Sequence, residues 1–116
     1  MTAVLFGIPN CDTVKKARRW CEARNVEYRF HDFRKDGIDG AMLARFEKAV
    51  GWEVLLNRRG MMWRKLSREA RDNIDRHTAM SLMLDNPAII KRPVLQIGKH
   101  IQVGFDEAVY SKLLTR

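Results

Sequence analysis

The chain has 116 residues, of which 46% are hydrophobic and 31% are charged, and its formal net charge is +8. This length predicts one domain, residues 1–116, with enough apolar side chains for a core. No stretch approaches about 18 consecutive apolar residues, so we expect a soluble, cytoplasmic protein with no membrane partner. Although the charge is typical of nucleic-acid-binding proteins, no recognition motif is present, which argues against nucleic acid as a partner.

The first 23 residues predict a strand, a turn and a helix. Residues 3–6 are an apolar run, and residues 7–10 read as a turn. From Asn10 or Cys11 onward apolar positions recur with helical spacing, so Cys11 lies in the first helical turn. Free backbone N–H groups and the helix dipole favour an anion there, which predicts a nucleophilic thiolate. The alternative is a small buried residue that closes the turn.

The two cysteines cannot bridge each other on this helix. Cys11 and Cys21 are ten residues apart, a rise of about 15 Å, whereas a disulfide needs Cα atoms within roughly 7 Å. Val14 stands where a Cys-x-x-Cys motif has its second thiol. We therefore expect a resolving thiol from glutathione or a partner protein, and we assign Cys21 to the core. Lys15, one turn after Cys11, adds positive charge that could help the thiolate.

The middle of the chain predicts a second strand and then several helices. Residues 26–33 alternate apolar and polar side chains, which completes a βαβ unit with parallel strands. Asp39 is expected to cap a helix that ends at Gly51, and Ser67 and Thr78 to cap two short helices. Residues 61–63 are expected to pack beyond a loop at residues 57–60. The segment 57–68 holds five basic side chains and no acid, as in an anion site or a partner surface.

The last third predicts a hairpin and a final helix. Two apolar runs flank Gly98 and Lys99, and Asp106 precedes a helical pattern in which Phe105 could contact Tyr110. The order is typical of an α/β thioredoxin-like fold, with βαβ and ββα units in one mixed sheet and a helical insertion at about residues 38–86. In that fold Pro93, which enters the third strand, lies beside the first helix, and its peptide bond could be cis.

No metal site or bound cofactor is predicted. The three histidines are widely spaced and show no metal-ligand pattern. Near the proposed thiolate, Asn10 and Thr13 could form hydrogen bonds to the sulfur or to a substrate.

The sequence resembles the arsenate reductase-like (ArsC/Spx) family, and most closely its YffB-type branch. The resemblance covers essentially the whole chain and depends on several motifs in the same order. They are residues 6–13 (Phe-Gly-Ile-Pro-Asn-Cys-Asp-Thr), Trp52 with residues 55–60 (Leu-Leu-Asn-Arg-Arg-Gly), residues 63–66 (Trp-Arg-Lys-Leu), residues 90–95 (Ile-Lys-Arg-Pro-Val-Leu) and residues 103–105 (Val-Gly-Phe).

The resemblance implies that Cys11 is the nucleophile. In the reductases this cysteine attacks arsenate, and glutathione and glutaredoxin complete the reduction. Arg92, of the Arg-Pro pair, would help to hold the oxyanion, since its planar guanidinium suits an oxyanion or a carboxylate. Two further arginines of arsenate reductases are missing here, because their positions match Asn57 and Gly104.

The three-arginine oxyanion site is therefore not reproduced, and the resemblance to the YffB-type branch implies a glutathione-dependent thiol or oxyanion reductase, in which Arg59 and Arg92 meet a carboxylate of glutathione. Whether Arg58 or Arg59 faces the site stays open at this point. Two alternatives remain. One is an Spx-like transcriptional regulator that binds RNA polymerase and lacks the Cys-x-x-Cys switch, and the other is a true arsenate reductase.

Overall fold

A four-stranded mixed sheet forms the first of two units into which the chain divides. The computed structural model describes residues 2–115. The sheet unit comprises residues 2–37 and 92–115, and the second unit comprises Ile38–Lys91. No helix among the described residues is long and apolar enough to cross a membrane.

Most elements follow one another in the order that the hydrophobic patterns predict, and the two that were not predicted are the short helices Met61–Lys65 and Pro87–Ile89. In chain order the elements are β1 (Ala3–Gly7), α1 (Asp12–Ala23), β2 (Tyr28–Asp32), α2 (Gly40–Val50), α3 (Trp52–Leu55), α4 (Met61–Lys65), α5 (Arg68–Asp72), α6 (Arg76–Asp85), a 3₁₀ helix (Pro87–Ile89), β3 (Val94–Ile97), β4 (His100–Val103) and α7 (Glu107–Leu114).

The sheet has the strand order β2-β1-β3-β4. β1 is parallel to β2 and antiparallel to β3, with Leu5 opposite both Phe30 and Leu95. β3 and β4 form the predicted antiparallel hairpin. Together with α1 and α7 this arrangement confirms the α/β class and the thioredoxin-like combination of βαβ and ββα units.

The core of the sheet unit lies between β1, β3, α1 and α7. Its fully or almost fully buried side chains are Ala3, Leu5, Ala17, Trp20, Cys21, Leu95 and Tyr110. The ring of Phe105 meets that of Tyr110 edge to face at 4.8 Å, which confirms the expected contact at the start of α7. The burial of these aromatic rings is a large apolar contribution to the stability of the unit.

The second strand is shorter than expected. β2 covers five residues, whereas the alternating pattern extended over residues 26–33. At its start, Asn25 has a left-handed backbone (φ 56°) and the Val26 N–H donates to the Cys21 carbonyl at 2.9 Å. Residue 26 therefore completes the end of α1 rather than beginning a strand.

The second unit is helical, and its helix caps are mostly those that the sequence predicts. Asp39 accepts the Met42 N–H at 2.8 Å, and Ser67 accepts the Ala70 N–H at 3.1 Å. Gly51 ends α2 with a φ of 88°. Thr78 was the wrong choice for α6, which begins after Asp75.

Asp75 caps α6 because its carboxylate accepts the Thr78 N–H at 2.9 Å. The Thr78 hydroxyl in turn accepts the Asp75 N–H at 3.0 Å, which completes a reciprocal capping box. Both residue types favour caps and they lie three residues apart, so the pattern alone does not distinguish them.

The core of the second unit is aliphatic apart from one aromatic ring. Its buried side chains are Leu43, Phe46, Leu55, Leu56, Ala79, Met83, Ile89 and Ile90. The expectation that residues 61–63 pack beyond the loop was wrong for Met61, which is 69% exposed. α4 is only five residues long and has no fully buried side chain, so its first residue lies at the surface.

Candidate active site

The turn from β1 into α1 presents Cys11 at the start of the helix. A Cβ atom at Gly7 would lie 2.8 Å from Cγ2 of Val14, so only glycine lets the end of the strand approach the helix this closely. Cys11 is the N-cap residue, with an extended backbone, and its carbonyl accepts the Lys15 N–H at 2.9 Å. Its side chain is partly exposed.

The register of the sheet brings Arg92 and Pro93 to the edge where β1 ends. Val94 lies opposite Phe6 in the antiparallel β1–β3 pair, so the residues before Val94 lie beside the turn that leads to Cys11. The Arg92–Pro93 peptide bond is cis, Pro93 is buried and Arg92 is half-buried. One edge of the sheet unit thus carries the cysteine, the arginine and the proline.

The remaining predicted residues of this unit lie in the same turn or in the first turn of α1. Asn10, Thr13 and Lys15 are all exposed. Asp12 supplies a carboxylate in the first turn of α1, where the helix dipole favours it. These side chains are accessible to a ligand that approaches Cys11 from solvent.

Gly104 lies at the same edge but has a backbone that disfavours any side chain. Its N–H donates to the Pro93 carbonyl at 2.9 Å, and its φ is 83°. This is the left-handed region, in which side chains other than that of glycine are strained. The position at which arsenate reductases carry an arginine is therefore adapted to glycine here.

Arg59 belongs to the second unit, in the loop at residues 57–60 between α3 and α4. Its side chain is exposed, and its backbone N–H donates to Oδ1 of Asn57 at 3.1 Å. The guanidinium of Arg58 lies 5.9 Å from the ring centre of Trp52 and 5.5 Å from that of Trp63.

Sequence reasoning treated Asn57 only as a missing arginine and overlooked its role in this turn. An Asn that accepts a backbone N–H two residues later is a common turn motif. The pattern Asn-x-x-Gly at residues 57–60 was the available signal.

The second cysteine is chemically distinct from Cys11. Cys21 is fully buried in the core of the sheet unit and, like Cys11, is a free thiol. Burial raises the pKa of Cys21 to about 11, and the nearby Glu22 adds to the effect. Cys21 is therefore neutral and inaccessible near pH 7, which confirms its assignment to the core.

Two further observations concern the position of Arg18 and the possibility of a metal centre. Arg18 lies 4.2 Å from the ring centre of Phe30 and donates to the hydroxyl of Tyr28 at 3.1 Å, so it packs on β2 rather than facing Cys11. Within residues 2–115 no group of three His, Cys, Asp or Glu side chains could hold a metal ion.

Comparisons with known proteins agree with this geometry. Residues 6–113 match the ArsC family. A solved structure named YffB is 44% identical, covers 98% of this chain and 100% of its own, and superposes with a TM-score of 0.93. An arsenate reductase (ArsC) related protein from Brucella melitensis is 47% identical, with 97% and 93% of the two chains covered and a TM-score of 0.83.

A more distant relative is a transcriptional regulator. The global transcriptional regulator Spx of Streptococcus agalactiae is 26% identical over 114 residues, which cover 97% of this chain and 82% of that protein. The motifs, the fold and these matches lead to the same assignment. The chain belongs to the ArsC family, and within it to the YffB-type branch.

Proposed function

We propose that this protein is a glutathione-dependent thiol reductase whose nucleophile is Cys11. The observation that carries the proposal is the contrast between the two thiols of the chain. Cys11 is accessible at the N-terminus of α1, whereas Cys21 is sealed in the core. Because no second thiol of the chain is available to resolve an adduct on Cys11, the resolving thiol must come from outside.

The reaction has two thiol–disulfide exchanges. In the first, the Cys11 thiolate attacks the glutathione sulfur of a mixed disulfide, a Cys11–glutathione disulfide forms, and the substrate leaves as a thiolate that takes up a proton. In the second, the thiolate of another glutathione attacks the glutathione sulfur of that adduct. Oxidised glutathione leaves and the Cys11 thiolate is regenerated, so one free glutathione is consumed for each substrate thiol released, and the other half of the oxidised glutathione comes from the substrate.

The cationic and polar side chains bind the anionic parts of glutathione in this proposal. Arg92 lies at the same sheet edge as the cysteine, and its planar guanidinium matches a carboxylate. Arg59 is proposed to bind a second carboxylate. Asn10, Thr13 and Lys15 would contribute hydrogen bonds and charge around the sulfur, and Pro93 would form a wall beside Arg92.

The proposal needs a compartment that contains reduced glutathione, such as the cytoplasm, where thiols are kept reduced. Two free cysteines suit that setting. Glutaredoxin is proposed as an alternative external source of the resolving thiol.

The first prediction concerns the adduct on Cys11. After brief exposure to oxidised glutathione, we expect mass spectrometry to show one glutathione on the wild-type protein and none on Cys11→Ser. Reduced glutathione should remove it. Failure to form the adduct, or equal modification of Cys21, would contradict the proposal.

Arg92→Met keeps an unbranched side chain but removes its charge. We expect this variant to react about tenfold more slowly with oxidised glutathione but at the wild-type rate with the neutral 2-hydroxyethyl disulfide.

Similarity to Spx supports a second candidate, a regulator that binds RNA polymerase. Val14 is fully buried and occupies the position of the second cysteine in a Cys-x-x-Cys motif, so such a regulator would not use that disulfide as its switch. Retention of the protein on the immobilised C-terminal domain of the polymerase α-subunit, unchanged in Cys11→Ser, would favour this candidate over the reductase.

Arsenate reduction is the third candidate. It is supported by family membership and opposed by Gly104, whose left-handed backbone disfavours an arginine. An assay of arsenate consumption with glutathione and glutaredoxin distinguishes it from thiol reduction.

A further inference from the structure

We propose that Asn57 is a positioning residue that gives the two neighbouring arginines of the loop different roles. In this inference Arg58 is held against two tryptophans, and Arg59 is the arginine that binds an anion. The identity of that anion as a carboxylate of glutathione rests on the function proposed above. The geometry that separates the two arginines lies entirely within the second unit.

The backbone of Asn57 is fixed on one side. Its N–H donates to the carbonyl of Ile89 at 2.9 Å, and Leu56 pairs with Ile90 in an antiparallel bridge. The N–H of Lys91 donates to the carbonyl of Leu55 at 2.7 Å. Backbone hydrogen bonds to residues 89–91 therefore fix the first residue of the loop.

The side chain of Asn57 fixes the other side of the loop. Its Oδ1 accepts the Arg59 N–H at 3.1 Å. Its Nδ2 lies 2.8 Å from the place that a Cβ atom of residue 60 would occupy. Gly60 has a φ of −83° and a ψ of 167°, a conformation open to any residue. A side chain at position 60 would therefore push the Asn57 amide out of its place in the turn.

The two arginines then meet different surroundings. The guanidinium of Arg58 lies within about 6 Å of the rings of Trp52 and Trp63, the range of cation–π attraction. Both arginine side chains are exposed, and among residues 2–115 no carboxylate forms an ion pair with either. What distinguishes the two is that Arg59, unlike Arg58, has no aromatic contact among residues 2–115, and we therefore assign the external anion to Arg59.

The experiment compares Asn57→Leu with Asn57→Ser in the full chain. Leucine has a similar size but no acceptor, whereas serine keeps an acceptor oxygen for the turn and lacks Nδ2. We expect Asn57→Leu to slow the reaction of Cys11 with oxidised glutathione about tenfold, and Asn57→Ser to stay within about twofold of wild type. Reaction with neutral 2-hydroxyethyl disulfide should be unchanged in both variants, which a general loss of structure would not allow.

Gly60→Ala provides a second, independent variant. It should slow the reaction with oxidised glutathione in the wild-type background and have no effect when combined with Asn57→Ser, because the atom that collides with the new methyl group is then absent. An equal effect of Gly60→Ala in both backgrounds would overturn the role given to the Asn57 amide.

The different roles of Arg58 and Arg59 can be tested by separate measurements on variants of each arginine. Arg59→Ala should slow the reaction with oxidised glutathione about tenfold, whereas Arg58→Ala should chiefly shift the indole N–H signals of Trp52 and Trp63 in NMR spectra. Equal kinetic losses for the two variants, or wild-type behaviour of Asn57→Leu, would overturn the inference.

Failure of the proposed function leaves a separate test of this inference. If oxidised glutathione does not modify Cys11, inorganic phosphate is titrated into the protein and the arginine side-chain signals are followed by NMR. A shift of the Arg59 signal that exceeds that of Arg58 supports the inference, and the reverse order overturns it.

Discussion

The thiol of Cys11 is partly exposed at the start of α1, whereas that of Cys21 is fully buried near the end of the same helix. The difference comes from the face of the helix on which each residue lies. Cys21 shares the buried face with Val14 and Ala17, and Cys11 caps the helix from the turn. The two cysteines are the same residue type but differ in solvent exposure. Their position on the helix, rather than the residue type, therefore determines which thiol a reagent can reach.

Burial of Cys21 predicts a loss of stability in alkaline solution. The pKa of this thiol rises from an ordinary value of 9.0 to about 11 in the folded protein, so the unfolded chain loses the proton first. The free energy of unfolding should therefore fall as the pH rises from about 9 through 11. Burial also raises the pKa of Tyr110, which acts in the same direction.

Urea denaturation at about pH 8 and pH 10.5 measures this effect. Cys21→Ala should lose about 2 kcal/mol less than the wild type between these two values, since it has no buried thiol to ionise. Equal losses in the two proteins would show that Cys21 does not contribute to the pH dependence.

At the scale of elements, the contact between β1 and α1 positions the candidate site. Gly7 lies at the end of the strand and Val14 on the buried face of the helix, with no room for a methyl group between them. The strand and the helix can therefore approach closely just before the turn that carries Cys11. This contact links a feature of packing to the placement of the nucleophile.

Gly7→Ala should destabilise the protein by about 1–3 kcal/mol, because the new methyl group would lie 2.8 Å from the Val14 side chain. In a Val14→Ala background the same change should cost less than about 1 kcal/mol, since the colliding methyl groups are gone. Urea unfolding of the four proteins gives both values. Identical costs in the two backgrounds would mean that Gly7 is needed for another reason.

At the scale of the whole molecule, 22 basic and 14 acidic side chains leave a formal net charge of +8, and few of these side chains form ion pairs in the described part of the chain. Among residues 2–115 the ion pairs are Arg68 with Asp72 and Arg76 with Glu47, and Arg68 and Asp72 are both exposed. Exposed pairs of this kind add little stability. The surplus positive charge instead creates a field that attracts anions.

The rate at which oxidised glutathione modifies Cys11 should therefore depend on salt. We expect it to fall severalfold between about 20 mM and about 300 mM sodium chloride, because the Debye length shortens over that range. The neutral 2-hydroxyethyl disulfide is the matched control and should react at a rate independent of salt. A salt effect of the same size on both disulfides would exclude electrostatic attraction of the substrate as its cause.

The local patterns of the sequence were sufficient for most of the fold. The apolar run at residues 3–6 predicted β1, and the helical spacing of apolar residues predicted α1. Cap residues predicted the starts of α2, α5 and α7, because a cap acts only on the turn that follows it. The same reasoning chose Thr78 over Asp75, since two good cap residues lay three positions apart and only the folded backbone shows which one starts α6.

The sequence by itself determined the family, the α/β class and Cys11 as the candidate nucleophile, because these depend on motifs and short-range periodicity. The tertiary structure decided which of two adjacent arginines lies beside aromatic rings. The sequence alone does not distinguish Arg58 from Arg59, because they are adjacent and of the same residue type. Contacts formed in the folded chain fix the conformation of the loop that carries them. The Ile89 carbonyl holds Asn57, and Trp52 and Trp63 hold Arg58. Contacts between segments that are separated in sequence carry this information, and no local pattern contains it.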